Sequence, residues 1–180
     1  MVYLFLAEGF EETEAIVTTD ILRRGYADVK TVSVSGDKAV TGAHGITVMA
    51  DISINEVKKA DAEAFILPGG MPGTKNLAES EEVKELLLYG NENEKLVCAI
   101  CAAPSVLGKY GILKGRRAVC YPGFEDFLDG AKVYETPVMH DGNVITSRGA
   151  GTAHLFAEEI LVALKGELVA EPVLKGMLYE

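Results

Sequence analysis

The sequence predicts an α/β protein: a doubly wound, mostly parallel sheet with helices on both faces. Three observations carry this. Short apolar runs alternate along the chain with segments of helical spacing. The runs lack polar alternation, as expected of strands covered on both faces. Several of them open directly into loops rich in Gly and Pro.

Taken in order, "VYLFL" (2–6) is the first such run. "EETEAIVTTDILRRG" (11–25) has helical spacing, acids in its first turn, arginines in its last and Gly25 as a stop. "VKTVSV" (29–34) is β-branched and strand-like, and residues 39–49 read as a hairpin turning near Gly42 to Gly45. "AFIL" (64–67) enters the turn-rich "PGGMPG". Ser80 then caps a helix over "SEEVKELLLYGNE", with two glutamates in its first turn. "LVCAI" (96–100) is a core strand, followed by a short helix in "APSVLGKYG". "RAVCY" (117–121) reads as a strand, and "VMHDGNVITS" (138–147) as a hairpin around Asp141-Gly142. "GTAHLFAEEILVALKG" (151–166) is an amphipathic helix ended by glycine. There is no repeat, linker or low-complexity tract, so residues 1–180 are read as one domain.

Composition narrows the function classes. The chain is 48% hydrophobic and 24% charged, which supplies an ordinary globular core. Its net charge of −10 and lack of a basic cluster argue against tight nucleic-acid binding. No segment approaches the about 20 apolar residues of a membrane span. The apolar start is read as a strand and not as a signal peptide. Three cysteines without a secretory signal suggest reduced thiols and a cytoplasmic protein.

In doubly wound folds ligands bind where loops leave the carboxyl ends of strands. That selects Ala7–Phe10, Pro68–Gly73, Cys101–Pro104, Tyr121–Gly123 and Arg148–Gly151, all rich in Gly, Pro or reactive side chains. Cys101 sits where strand passes into helix. Backbone N–H groups and the helix dipole there favour a thiolate, and Pro104 suits the first helical turn. The placement resembles a nucleophile elbow built on Cys, although a buried packing cysteine reads equally well. "CAIC" is a C-x-x-C match, but residues i and i+3 of a strand lie about 10 Å apart, beyond the roughly 7 Å that a disulfide spans. Cys98 is therefore assigned to the core. Cys120 ends another strand and is either a packing residue or a resolving thiol for Cys101.

Glu14 interrupts the apolar stripe of Phe10, Val17 and Ile21, while Glu11 and Glu12 point elsewhere. Held against the core, its carboxyl would have a raised pKa and could donate to a thiolate or move protons. The other reading is an exposed first-turn glutamate that answers the helix dipole.

"AEGFEETEA", "ILPGGMPGTKNLAES", "AICAAP" and "TSRGAGT", in this order and spacing, resemble the DJ-1/ThiJ/PfpI superfamily, in its DJ-1 and bacterial ThiJ-like branch. The resemblance implies a flavodoxin-like sandwich related to class I glutamine amidotransferases, usually as a homodimer. It places Cys101 as the reactive, oxidisable cysteine and Glu14 as its hydrogen-bonding glutamate. Gly70 and the N–H of Ala102 match the oxyanion-binding amides, with Gly69, Tyr121 and Arg148 around the pocket. Many relatives carry a histidine where this chain has Tyr121. A phenol is a poor general base at neutral pH, which demotes a cysteine peptidase or amidase. His44, His140 and His154 are read as structural or surface residues. "RGAGTAH" misses the dinucleotide fingerprint at its third glycine, and no cluster has metal-ligand spacing. The resemblance implies a glyoxalase acting on methylglyoxal-type dicarbonyls, or a deglycase acting on glycated proteins, without cofactor or metal. The alternative from another class is an oxidative-stress sensor or redox-regulated chaperone working through Cys101 oxidation.

Overall fold

A computed structural model of the chain describes residues 1–179. In chain order, strand β1 (Val2–Leu6) leads into helix α1 (Glu12–Arg24), then β2 (Val29–Ser33) and the hairpin β3 (Ala39–Thr41) and β4 (Thr47–Met49). Strands β5 (Ile52–Ser53) and β6 (Ala64–Leu67) precede helices α2 (Gly73–Glu79) and α3 (Glu81–Glu92). Next come β7 (Leu96–Ile100), α4 (Pro104–Lys109), β8 (Arg117–Ala118), β9 (Lys132–Val133), β10 (Val138–Asp141) and β11 (Val144–Ser147). Helices α5 (Ala153–Lys165) and α6 (Glu167–Gly176) complete the order.

The main sheet has the order β10-β11-β7-β6-β1-β2-β5, parallel throughout except for the edge strand β10. Its parallel centre, β2-β1-β6-β7-β11, is the flavodoxin-like order. The doubly wound α/β prediction is what is found. Burial explains the unbroken apolar strands. Val2, Leu4, Leu6, Ile66, Cys98 and Ile100 face a layer formed with α1, α5 and α6, which contributes Ile21, Phe156, Ile160 and Leu174. The alternate residues Tyr3, Phe5, Phe65, Leu67, Val97 and Ala99 face Leu77, Val83, Leu87, Val106 and Leu107 of α2, α3 and α4. Each strand therefore buries both faces, and polar alternation would have no place in it.

Four differences from the sequence reading have physical causes. The strand expected over 117–121 is only Arg117–Ala118, paired with β9 in a separate two-stranded sheet. Cys120 therefore does not end a strand of the main sheet. Helix α2 starts inside the Gly-Pro loop, whose composition reads as turn. Helix α6 holds Pro172 in its interior, a residue that ordinarily signals a break. Strand β5 is two residues long and is defined by its pairing with β2, a non-local feature.

The order in which strands are added reverses between β1 and β6, which run parallel: from β1 the sheet grows one way to β2, from β6 the other way through β7 to β11. The carboxyl ends of β1, β6, β7 and β11 thus share one edge, and a crevice opens at the switch point. Among the described residues, no helix is long and apolar enough to cross a membrane.

Candidate active site

The switch point gathers all five loops selected from sequence. Gly73 N–H donates to Gly9 O at 3.1 Å, and Glu11 N–H to Gly69 O at 2.9 Å. Cys101 N–H donates to Ser147 O at 3.0 Å, while Tyr121 N–H donates to Cys101 O at 2.8 Å. The Tyr121 ring lies against Gly149.

Cys101 follows the last residue of β7 with φ +64°, a left-handed conformation that costs a non-glycine residue roughly 1–2 kcal/mol. The strained turn lifts the side chain off the strand and leaves it half-buried at the crevice. The elbow is thus built on a cysteine in the conformation that a sharp strand-to-helix turn demands. Pro104 occupies the first turn of α4, as its missing N–H allows. Because the chain turns here, Cys101 packs against the layer of α1 and α5 that also holds Cys98, not against the opposite face. All three cysteines are free, and Cys98 and Cys120 are buried.

Glu14 is delivered from the first turn of α1. Glu11 caps that helix, its carboxylate accepting from Glu14 N–H at 2.7 Å. The Glu14 side chain reaches inward and is only 1% exposed. Its Oε2 accepts from Gly69 N–H at 2.7 Å. Its Oε1 is buried with no partner in hydrogen-bonding geometry. The Cys101 thiol nevertheless lies near enough for each group to shift the other's protonation. Burial, with a smaller push from the charge of Glu11, raises the Glu14 carboxyl to about 7 against the pull of the Gly69 N–H.

The thiol departs from the sequence reading. Burial, followed by the Glu14 charge and the contact with its carboxyl, pushes Cys101 up to about 12. The N–H groups of Ala102 and Gly70 pull it down, but by less. Helix α4 has six residues, and its dipole does not offset a buried charge beside a carboxylate. The resting pair is therefore a thiol with a carboxyl group that is half ionised near neutral pH, rather than a free thiolate. The thiol keeps its own proton, and the ionised fraction of the carboxyl is the neighbouring base able to accept it.

Glycines make the room. A Cβ at Gly69 would sit 2.6 Å from Cys101 Cβ and 2.9 Å from Glu14 Oε2. Gly70 has φ +89°, and a Cβ there would lie 2.4 Å from Glu11 N. The other residues selected from sequence fall at different places. The N–H groups of Ala102 and Gly70 lie near enough to the sulfur to lower its pKa. Tyr121 is attached through its backbone, with its side chain 50% exposed. The Arg148 guanidinium donates to Glu135 O at 3.2 Å, so the structure engages it with the 134–136 loop rather than the thiol. Cys120 packs in the opposite layer, where burial and the Glu125 charge push its thiol up to about 11.

Sequence reasoning missed Glu11 and Glu12. Glu11 had a signal, an acid three residues before Glu14 at a helix start. Glu12 does point away from the crevice, but it is only 6% exposed. Its Oε1 accepts from His44 N–H at 2.7 Å, and its Oε2 meets His44 Nδ1 at 2.8 Å. Glu11, Glu12 and His44 have potential ligand atoms within 4.8 Å of one another, a juxtaposition that no sequence spacing announced. Both Glu12 oxygens are already engaged within the protein. Grooves of about 440 and 470 Å³ run along α5 and α6, lined by residues such as Leu155, Glu158 and Glu171, none of them from the Cys101 site.

The DJ-1/PfpI family model matches residues 1–163. The glutathione-independent glyoxalase DJR-1.2 of Caenorhabditis elegans is 36% identical over 172 residues, covering 94% of this chain and 91% of that one. The crystal structure of a DJ-1 superfamily protein from Salmonella typhimurium matches with a TM-score of 0.95 at 36% identity, covering 99% and 98% of the two chains. Oxidized DJ-1 of Toxoplasma gondii matches with a TM-score of 0.94 at 33% identity, covering 99% and 97%.

Proposed function

We propose, for a chain that belongs to the DJ-1/PfpI family, that Cys101 and Glu14 form the catalytic pair of a glutathione-independent glyoxalase acting on small 2-oxoaldehydes. The single observation that supports this most is the buried carboxyl of Glu14, raised to about 7 and set beside a half-buried thiol. A proton-transfer group is most effective when its pKa lies near the working pH.

In this reading the sulfur of Cys101 bonds to the aldehyde carbon of methylglyoxal while its proton passes to the ionised Glu14. The carbonyl electron pair moves to oxygen, which faces the N–H groups of Gly70 and Ala102. That oxygen then takes up the proton, giving a hemithioacetal. Glu14 next removes the hydrogen on the former aldehyde carbon and delivers it to the neighbouring carbon, while the hydroxyl proton passes from the first oxygen to the ketone oxygen, so that the substrate runs through an enediol. The product is a thioester, and one water molecule releases lactate and restores the thiol. The named C. elegans relative supports the reaction class. Action on glycated proteins would need the adduct first to release its amine or thiol, freeing the aldehyde to which Cys101 then adds.

The test is lactate formation from methylglyoxal without glutathione. Cys101→Ser and Glu14→Gln are each expected to lose at least about a hundredfold in kcat/KM, the usual reach of general acid–base catalysis. Activity in the parent should rise with pH as Glu14 ionises near 7. Unchanged turnover in either variant would remove that residue from the mechanism.

A second reading, an oxidation sensor, is favoured by one feature. A sulfinate on Cys101 would meet the Gly70 and Ala102 N–H groups and a Glu14 carboxyl able to donate when protonated. Peroxide titration followed by mass measurement separates the two: a Cys101 that stops at the sulfenate would eliminate the sensor.

A further inference from the structure

We propose that Tyr121, together with Met71, forms an apolar rim that makes the Cys101 site prefer 2-oxoaldehydes with an aryl or bulky apolar substituent over methylglyoxal. The inference rests on the glyoxalase reading and adds its substrate class.

The geometry begins at the backbone. Tyr121 N–H donates to the carbonyl of Cys101 at 2.8 Å, so the ring is rooted one residue-to-residue contact from the nucleophile. Phe124 N–H closes the following turn on Tyr121 O at 3.1 Å. The ring then lies against Gly149. A Cβ on Gly149 would fall 3.3 Å from Tyr121 Cδ2 and 3.7 Å from Cε2. Gly149 has φ 162°, extended backbone that any residue adopts, so the glycine there serves space and not conformation. What the space admits is the Tyr121 ring.

Half of Tyr121 remains exposed, and no hydrogen-bond partner among the described residues holds its hydroxyl. Met71, 54% exposed, follows Gly70, whose N–H lies near enough to the Cys101 sulfur to lower its pKa. Two large apolar side chains thus stand bare, each rooted beside a backbone group that touches Cys101. Once sulfur has added to the aldehyde, the inner side of the crevice is filled by Glu14, Gly69 and the turn. The ketone substituent projects outward, toward the rim. A methyl group covers little of it. A phenyl group can lie offset on the tyrosine ring, and the thioether of Met71 is a favourable neighbour for an aromatic edge.

The experiment compares kcat/KM for phenylglyoxal and methylglyoxal in the parent, Tyr121→Phe, Tyr121→Ala and Gly149→Ala. The aryl-to-methyl ratio should fall about tenfold in Tyr121→Ala, the size expected of one aromatic contact with its buried area. Tyr121→Phe should keep the ratio, and Gly149→Ala, which pushes the ring outward, should lose part of it. A ratio unchanged in Tyr121→Ala overturns the proposal.

A second measurement needs no turnover. Cys101 is alkylated with phenacyl bromide or bromoacetone and followed by mass. The sulfur bonds to the methylene carbon, bromide leaves, and the thiol proton passes to Glu14 or buffer. Intrinsic reagent reactivity cancels when each variant is compared with the parent. If the parent turns over neither dicarbonyl yet Tyr121→Ala loses the aryl preference in alkylation, the rim stands and the glyoxalase reading falls. If the parent turns over both and Tyr121→Ala alters neither ratio, the glyoxalase stands and the rim falls.

Discussion

Gly69 shows how closely the site is fitted. It donates its N–H to Glu14, and the missing side chain leaves the gap that Cys101 and Glu14 share. An added Cβ would also lie 3.0 Å from Ile100 O, and that carbonyl belongs to β7 and cannot yield as a flexible side chain could. Gly69→Ala is therefore expected to lower stability by about 1–3 kcal/mol, the usual range for overpacking. Cys101 alkylation should slow or accelerate by more than about tenfold as the turn shifts, since an error of about 1 Å near a reacting atom carries that scale of consequence. Urea denaturation and alkylation kinetics would check both; a variant indistinguishable from the parent would mean the turn is looser than its contacts. At this scale the sequence was legible for position and misleading for charge. Cys101 was found from its place between an apolar run and Ala-Ala-Pro, and Glu14 from its break in an apolar stripe. The expected thiolate failed because burial and a neighbouring carboxylate depend on α1 meeting β7, a contact between residues far apart in the chain.

At the scale of elements, the start of α1 distributes three glutamates to three tasks. Glu11 caps the helix, Glu14 enters the crevice, and Glu12 fastens the β3–β4 hairpin. Burial would raise the Glu12 carboxyl, but the side-chain and backbone bonds from His44, with further backbone N–H groups, outweigh it and hold it below the usual carboxylate range. The carboxylate also pulls the His44 imidazole upward through their hydrogen bond and opposite charge. Glu12→Gln exchanges an ionised acceptor for a weaker neutral one. Backbone amides at His44 and Ile46 should then exchange with deuterium at least about tenfold faster, while those of β1 and β6 keep their protection. Uniform protection would mean that the hairpin is held by its ladder alone. The hairpin itself was plain in the sequence, because Gly42 and Gly45 punctuate a β-branched run. Its fastening was not, since Glu12 and His44 lie 32 residues apart. The same limit hid β5 and β9, two-residue strands defined by partners and not by a pattern of their own, and left β8 shorter than its apolar run suggests.

At the scale of the molecule, the architecture was legible because the parallel sheet imposes apolar runs that no solvent-facing strand would need. The same architecture makes the whole fold sensitive to one carboxyl. Glu14 is raised from 4.5 to about 7 by burial, so the folded chain holds a proton that the unfolded chain releases within that window. Stability must then fall as pH climbs from 4.5 to about 7. Below the window both states are protonated and the group is neutral in effect; above it the penalty is complete, on the order of 3 kcal/mol. Glu14→Gln keeps an oxygen for the Gly69 N–H and carries no charge. By urea denaturation its stability advantage over the parent should grow from near zero at about pH 4 to roughly 3 kcal/mol at about pH 8. The Cys101 thiol does not disturb this comparison, because it is raised from 9.0 to about 12 and its own linkage begins only above the window. A difference that stays flat with pH would show that Glu14 titrates as an exposed glutamate does. The carboxylate would then be too weak a base at neutral pH to take the Cys101 proton efficiently, and the proton transfers proposed for catalysis would need another acceptor.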